Sequence, residues 1–355
     1  MPKTQNRAVM IWIFTFTAFA AFLVVYGGFV RLTRSGLSIT QWNPVSGAVP
    51  PLSQHAWQAE FAQYQQTPEF KIVNFNMTLD QYKTIFWVEW LHRFIARIAG
   101  FVFAIPFFVF LFKKNIPWKE VGWYVFLGFL FVSQAILGWY MVASGLEDRP
   151  SVSHYLLASH MLMALTLIGI SLWTAFGHLY GFPVKKAKWS PSSKFVLTGF
   201  IILLIQICYG SFTAGLKAGY ISNTWPLMLG QLIPSGLLSQ IQPPLMNLIA
   251  APLTVVFIHR WFAFIGLITA IICYWLIQKQ KISKDIKFAL NLLLTLLILQ
   301  IMLGILVILS NVQIAIALIH QANALLLFSA TIFLLNRLRA TDESEVSQVQ
   351  KVLQV

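Results

Sequence analysis

The sequence predicts an all-α integral membrane protein: eight transmembrane helices forming two pseudo-symmetric four-helix bundles, with both termini cytoplasmic. Three observations carry this expectation. The 355-residue chain is 58% hydrophobic and only 10% charged, whereas soluble domains carry about 25% charged residues. Its apolar residues gather into eight runs that reach the roughly 20 residues needed to cross a hydrocarbon core. The connections on one side of the membrane alternate long, short, long, short, as a duplicated four-helix unit would require.

The first run, 9–30, follows the basic flank of Lys3 and Arg7. It is long and lacks a small-residue cleavage site, so it reads as a span and not a removable signal. A long connection, 31–83, follows. Within it SQHAWQAEFAQYQQ places Trp57, Phe61 and Tyr64 at i, i+4, i+7, behind Ser53 as an N-cap. A short amphipathic helix is expected, either on the outer membrane surface or packed over the bundle mouth. TLDQ at 78–81 has the capping-box pattern, so the second helix starts above the membrane before its apolar run 84–112. The third and fourth spans are 121–143 and 153–180, the fifth and sixth 194–214 and 252–277, the seventh and eighth 286–310 and 313–336. The N-terminal half is assigned to 1–185, the C-terminal half to 186–340 and a polar cytoplasmic tail to 341–355.

Orientation follows from the basic residues. Lys113, Lys114 and Lys119 follow the second span, Lys185, Lys186, Lys188 and Lys194 the fourth, Lys279, Lys281, Lys284 and Lys287 the sixth, and Arg337 and Arg339 the eighth. Positive loops stay inside, so even-numbered spans run from outside to inside. The same clustering explains the net charge of +14 as a topology signal and not a nucleic-acid footprint; lipid, not nucleic acid, is the expected surroundings. Cys208 and Cys273 each lie alone in an apolar run, with no CxxC pair, so neither a disulfide nor a zinc site is expected.

The residues repeat as the loops do. Gln134/Gly138, Gln206/Gly210 and Gln300/Gly304 set a Gln four residues before a Gly in the third, fifth and seventh spans. Two copies with an even number of spans share one orientation, related by an axis along the membrane normal. Four of seven histidines obey the repeat: His92 in EWLHRFIAR, His160 in ASHMLMAL, His259 in FIHRWFAFIG and His320 in LIHQANALL. Each half offers one histidine from its second helix and one from its fourth, at similar depth in the outer part of the membrane. Two neutral imidazoles facing each other inside a helical bundle make a site for haem iron. His55, His154 and His178 fall outside the pattern.

An ionisable side chain at a membrane centre costs roughly 2.5–3.5 kcal/mol on insertion scales, so such residues mark function. Glu89 stands three residues before His92, and its counterpart is Val256. The carboxylate exists in one half only. Two roles are open to it: a proton acceptor beside a haem, or an ion pair with Arg93 or Arg97. Arg31, Arg34, Arg93, Lys217 and Arg260 lie near the outer helix ends, where haem propionates would meet them or where they would snorkel to the interface.

GGFVRLTRSGLSITQWNPVSGAVPP, TPEFK with IFWVEWLHR, AGLKAGYISNTWPLM and FIHRW together resemble the haem A synthase family, in its mitochondrial and proteobacterial branch. The likeness covers nearly the whole chain. It implies oxidation of the C8 methyl of haem O to a formyl group, giving haem A for a terminal cytochrome oxidase. It further implies that His259 and His320 ligate haem b, that His92 and His160 hold the substrate haem O, and that Glu89 is the essential acid. A bacterial inner membrane, with haem sites toward the periplasm, is implied as well. Haem O synthase, cytochrome oxidase assembly factors and an unnamed electron acceptor are the implied partners, and self-association is left open. The outer-loop cysteine pair of some bacterial members is absent from 31–83. Two rivals remain: a di-haem cytochrome b serving quinone, which gives no reason for a one-sided Glu89, and a non-haem transporter with internal repeats.

Overall fold

The computed structural model describes residues 4–182 and 190–352. Lys185, Lys186, Lys188, the boundary between the two assigned halves and the last three residues of the tail lie outside them. Eight helices among the described residues are long and apolar enough to cross a membrane. They are α1 (Arg7–Leu32), α2 (Leu79–Phe112), α3 (Val121–Ala143), α4 (His154–Tyr180), α5 (Pro191–Gly215), α6 (Pro252–Gln278), α7 (Lys284–Leu309) and α8 (Ile314–Val352). The apolar runs therefore locate every span. The eighth extends further than expected, its helix continuing through most of the tail assigned to 341–355.

Local chemistry sets the ends. The Asn6 side chain caps α1 by accepting from the Ala8 and Val9 amides. Thr78 and Gln81 close the capping box that starts α2 above the apolar run. Pro191 and Pro252 open α5 and α6 at positions where a missing N–H costs nothing.

In the first half α1 packs on α2 and α4, and α3 on α4; in the second α5 packs on α6, and α7 on α8. The halves meet where α4 and α8 touch each other, α5 and α1. α4 and α8 are accordingly the most buried of the eight. The outer helices turn Phe101, Phe129, Ile268, Ile271 and Met302 outward, as apolar solvent demands.

The surface helix expected behind Ser53 spans Gln54–Tyr64, and Ser53 accepts from the Ala56 amide. Its two expected placements resolve toward the protein. Trp57 and Tyr64 are buried and pack with Tyr82 and Phe86 from the first turns of α2. A helix with a partly polar face gains more by covering those aromatic rings than by lying flat on lipid.

Candidate active site

The charges of EWLHRFIAR form a ladder. Glu89, Arg93 and Arg97 recur every four residues, so they line one face of α2. The chain leaving α1 runs down that face and is clipped at each rung. Glu89 Oε2 accepts from the Ser38 amide at 2.8 Å, the Ser38 hydroxyl at 2.7 Å and the Ile39 amide at 2.9 Å. Arg93 donates to Glu89 Oε1 from Nη2 at 2.6 Å and from Nε at 3.1 Å, and to the Ile39 and Gln41 carbonyls at 3.1 and 3.4 Å. Arg97 donates to the Pro44 and Asn43 carbonyls at 2.9 and 2.8 Å. Arg97, which the sequence left without a partner, thus holds the lower end of the loop. Glu89, 3% exposed, accepts from five donors, and the ion pair weighed for it is made with Arg93.

His92 leaves the same helix on another face. It lines a cavity of about 890 Å³ together with His160, His259 and His320. His92 and His160 come from α2 and α4, His259 and His320 from α6 and α8. Among the described residues no three metal-ligating side chains cluster.

Glycines make room for the rings. A Cβ on Gly138 would lie 2.8 Å from His160, on Gly210 3.0 Å from His259, on Gly304 3.1 Å from His320, and on Gly27 3.3 Å from His92. Each imidazole is seated against the backbone of the neighbouring helix, where a side chain would displace it. The Gln of each Gln-x₃-Gly element reaches the same histidine. Gln134 Nε2 is 3.2 Å from His160 Nε2 and donates to the His160 carbonyl at 3.0 Å. Gln206 Nε2 is 3.1 Å from His259 Nδ1 and donates to the His259 carbonyl at 2.9 Å. Gln300 Nε2 is 3.2 Å from His320 Nε2. The spacing was legible as a mark of repetition; that it supports three histidines emerges only in three dimensions.

Arg31, Arg93 and Arg260, three of the five cations expected at propionates, line the cavity, and all three also have protein partners. Arg31 donates to the Ala214 carbonyl of α5, joining the two halves. Arg93 is engaged as described. Arg260, 6% exposed, donates to the Ser222 and Thr224 carbonyls at 2.6 and 3.1 Å. Val256 is buried one turn before it, where Glu89 stands in the first half. Arg34 and Lys217 line the cavity as well.

Glu69, in the TPEFK segment, also lines this cavity. It accepts from the Tyr64 hydroxyl at 3.1 Å, to which Asn74 donates at 2.7 Å. Burial pushes its carboxyl up to about 7, against the Tyr64 hydrogen bond and the charges of Lys217 and Arg34. The remaining histidines have other uses: His154 pairs with the Ile249 carbonyl at 3.1 Å, and His178 joins the Tyr124 hydroxyl at 2.8 Å.

These features fit porphyrins. The lining is predominantly apolar, four imidazoles stand on it, glycines seat them, and Arg31, Arg34, Arg93, Lys217 and Arg260 bring positive charge to the same cavity. Comparison with known proteins agrees. The family described as cytochrome oxidase assembly protein (COX15-CtaA) matches residues 10–332. The chain is 41% identical to a protein of Maricaulis maris (strain MCS10) over 93% of this chain and 96% of that one. It is 38% identical to a protein of Wolbachia pipientis wMel over 96% of each. It is 37% identical to a protein of Flavobacterium johnsoniae over 95% of this chain and 99% of the relative. All three relatives bear the name heme A synthase. With four histidines on a shared cavity and likeness along nearly its full length, the chain belongs to the cytochrome oxidase assembly protein family that includes the heme A synthases.

Proposed function

We propose that this protein is a haem A synthase, an oxidoreductase that converts the C8 methyl of haem O to a formyl group. His92 and His160 hold haem O as substrate. His259 and His320 hold haem b, which supplies one-electron transfer when bound. Written with water, a methyl and one H₂O give a formyl group, four protons and four electrons. Two successive hydroxylations produce a geminal diol, which loses water to leave the aldehyde. The four electrons leave to an external acceptor.

Protons need a resident acceptor near the methyl, and Glu89 is that group. Its oxygens are filled by five donors, so one must withdraw before a proton can arrive. The Ser38 hydroxyl is suited to this. It needs only to rotate, and the Ile85 carbonyl stands 3.3 Å away as its alternative acceptor. Arg93 and the backbone amides then keep the carboxyl in place.

The reading rests most on one observation: a buried carboxylate lies on the cavity wall beside His92, while Val256 fills the matching place near His259. A pure electron carrier with two equivalent haems has no use for that difference. On this reading both termini lie in the cytoplasm and the histidine pairs toward the periplasmic side of a bacterial inner membrane, in two four-helix halves related by duplication. Haem O would come from a haem O synthase, and haem A would pass to cytochrome oxidase assembly factors.

The test is expression in cells that make haem O but no haem A, followed by chromatography of the extracted haems. Haem A is expected to appear. A folded, haem-loaded protein that yields none would overturn the assignment; a colourless protein would return the transporter reading.

A further inference from the structure

The cavity wall is not equally closed in the two halves. In the second half no cavity-lining residue of α7 is exposed; Ile301 and Ile305 are both largely covered. In the first half α3 brings Ala135 and Trp139 to the matching places, counted from Gln134 and Gln300. Both are exposed, Trp139 by 43%. They border Val132, Ile136 and Tyr140, which α3 turns outward, so the opening faces hydrocarbon and not water. Phe131 closes it one turn deeper, where a Cβ on Gly100 of α2 would stand 3.4 Å from its ring. On the loop side stands Trp42, stacked on Trp139 at 5.2 Å and 27°. Trp225 lies as far beyond Gly210 as Trp42 lies beyond Gly27. Its ring goes to α6 instead, against Trp261 at 5.6 Å and Phe264 at 6.0 Å. In the first half Arg97 stands in the place of Phe264 and binds the Asn43 and Pro44 carbonyls. Phe94, in the place of Trp261, stacks on Trp90 at 4.8 Å. Trp42 crosses to α3, and the wall along Ala135 is left open.

We propose that this opening is a subsite for the substrate's tail: the isoprenoid chain of haem O leaves the cavity over Ala135, between the Trp42–Trp139 pair and Phe131, and lies along the lipid face of α3. The inference rests on the first half holding haem O and deepens that reading. Haem O and haem b share the iron, the ring and the two propionates. They differ in the long isoprenoid chain that haem O carries where haem b has a vinyl group. The halves differ in the same sense. The half assigned to haem O has an apolar opening in its side, and the half assigned to haem b has Ile301 where that opening would be. Placing the chain in hydrocarbon avoids the crowding that packing it beside the ring would impose. It also lets the haem exchange with the bilayer without its chain crossing water. The reaction alters a methyl group and leaves the chain as it was, so the same opening serves the product.

The experiment is a spectrophotometric titration of haem O, and separately of haem b, into the purified full-length protein, independent of turnover. Ala135→Phe fills the opening. Its affinity for haem O should fall by roughly 10-fold or more, while its affinity for haem b is unchanged. Ala135→Ile, which installs the second half's own residue, should act in the same direction by less. Unchanged haem O affinity in Ala135→Phe would overturn the proposal. So would an equal loss for both haems, because the residue would then border the ring and not the chain. If Ala135→Phe does not fold, Ala135→Ile decides by the same ratio of haem O to haem b affinity. The functional reading fails separately: a wild type that makes no haem A, while the variants still lose haem O selectively, would remove the reaction and keep the subsite.

Discussion

The His-Arg pairs of the two halves begin alike and end differently. Arg93 and Arg260 each follow a cavity histidine, and each donates to two backbone carbonyls of the outer loop of its own half. Tethering the loop is therefore common to both. Only Arg93 also pairs with a carboxylate, and only that carboxylate gathers the Ser38 and Ile39 amides. Where Glu89 stands in one half, Val256 packs with Ala218, Met228 and Leu253 in the other. On the proposed reading helix, histidine, glycine and arginine make the haem site of each half; the carboxylate, which burial makes expensive, is what the first half adds. On that reading the costly group marks the copy where chemistry happens.

Substitutions can break this comparison. The largest effects belong to the ligands. His259→Ala or His320→Ala should remove one haem per chain entirely, measured as the pyridine haemochrome. Glu89→Ala should lose at least about 100-fold in haem A formation while the second-half haem remains. Full activity in that variant would take Glu89 out of the reaction and make the halves equivalent.

The arginines sharpen the contrast. Arg93→Ala leaves a buried carboxylate without its ion partner and should cost about 3–5 kcal/mol. Arg260→Ala removes charged hydrogen bonds to carbonyls and should cost nearer 1.5–3 kcal/mol. Thermal unfolding in detergent would compare them; equal losses would mean that Glu89 adds nothing to the tether.

The smallest effect is a pH dependence in the outer loop. Glu69 holds its proton more tightly folded than unfolded, so the stability it brings is complete below the ordinary carboxyl value of 4.5 and is lost as pH rises through about 7. Hydrogen exchange across 64–74 should therefore speed up between about pH 5 and about pH 8, and Glu69→Gln should flatten the change. An unaltered slope in the variant would assign it to another group.

Much of the site was legible before the fold. The four histidines and the one-sided Glu89 stood out because repetition in a chain is visible without coordinates. The arginines were less legible. Arg93 and Arg260 looked available to anions, yet loop carbonyls take their donors. The Gln-x₃-Gly elements were visible as a pattern whose purpose was not, since a glutamine reaches its histidine only across two packed helices. Glu69 gave no signal beyond its presence in TPEFK, because its burial depends on a surface helix folding over α2.

The sequence by itself determined the class and the eight spans, and it marked the four histidines by repeat. Those depend on how many consecutive residues lipid will accept and on likeness between segments, both local properties of the chain. Only the tertiary structure decided where the loop after α1 lies, which carbonyls Arg93, Arg97 and Arg260 bind, and that Gln134 stands against His160. These are choices among partners 26 to 54 residues apart or more in sequence, and a hydrogen bond is assigned by distance in space. EWLHRFIAR carries its charges into the membrane region because the loop that satisfies them comes down with it.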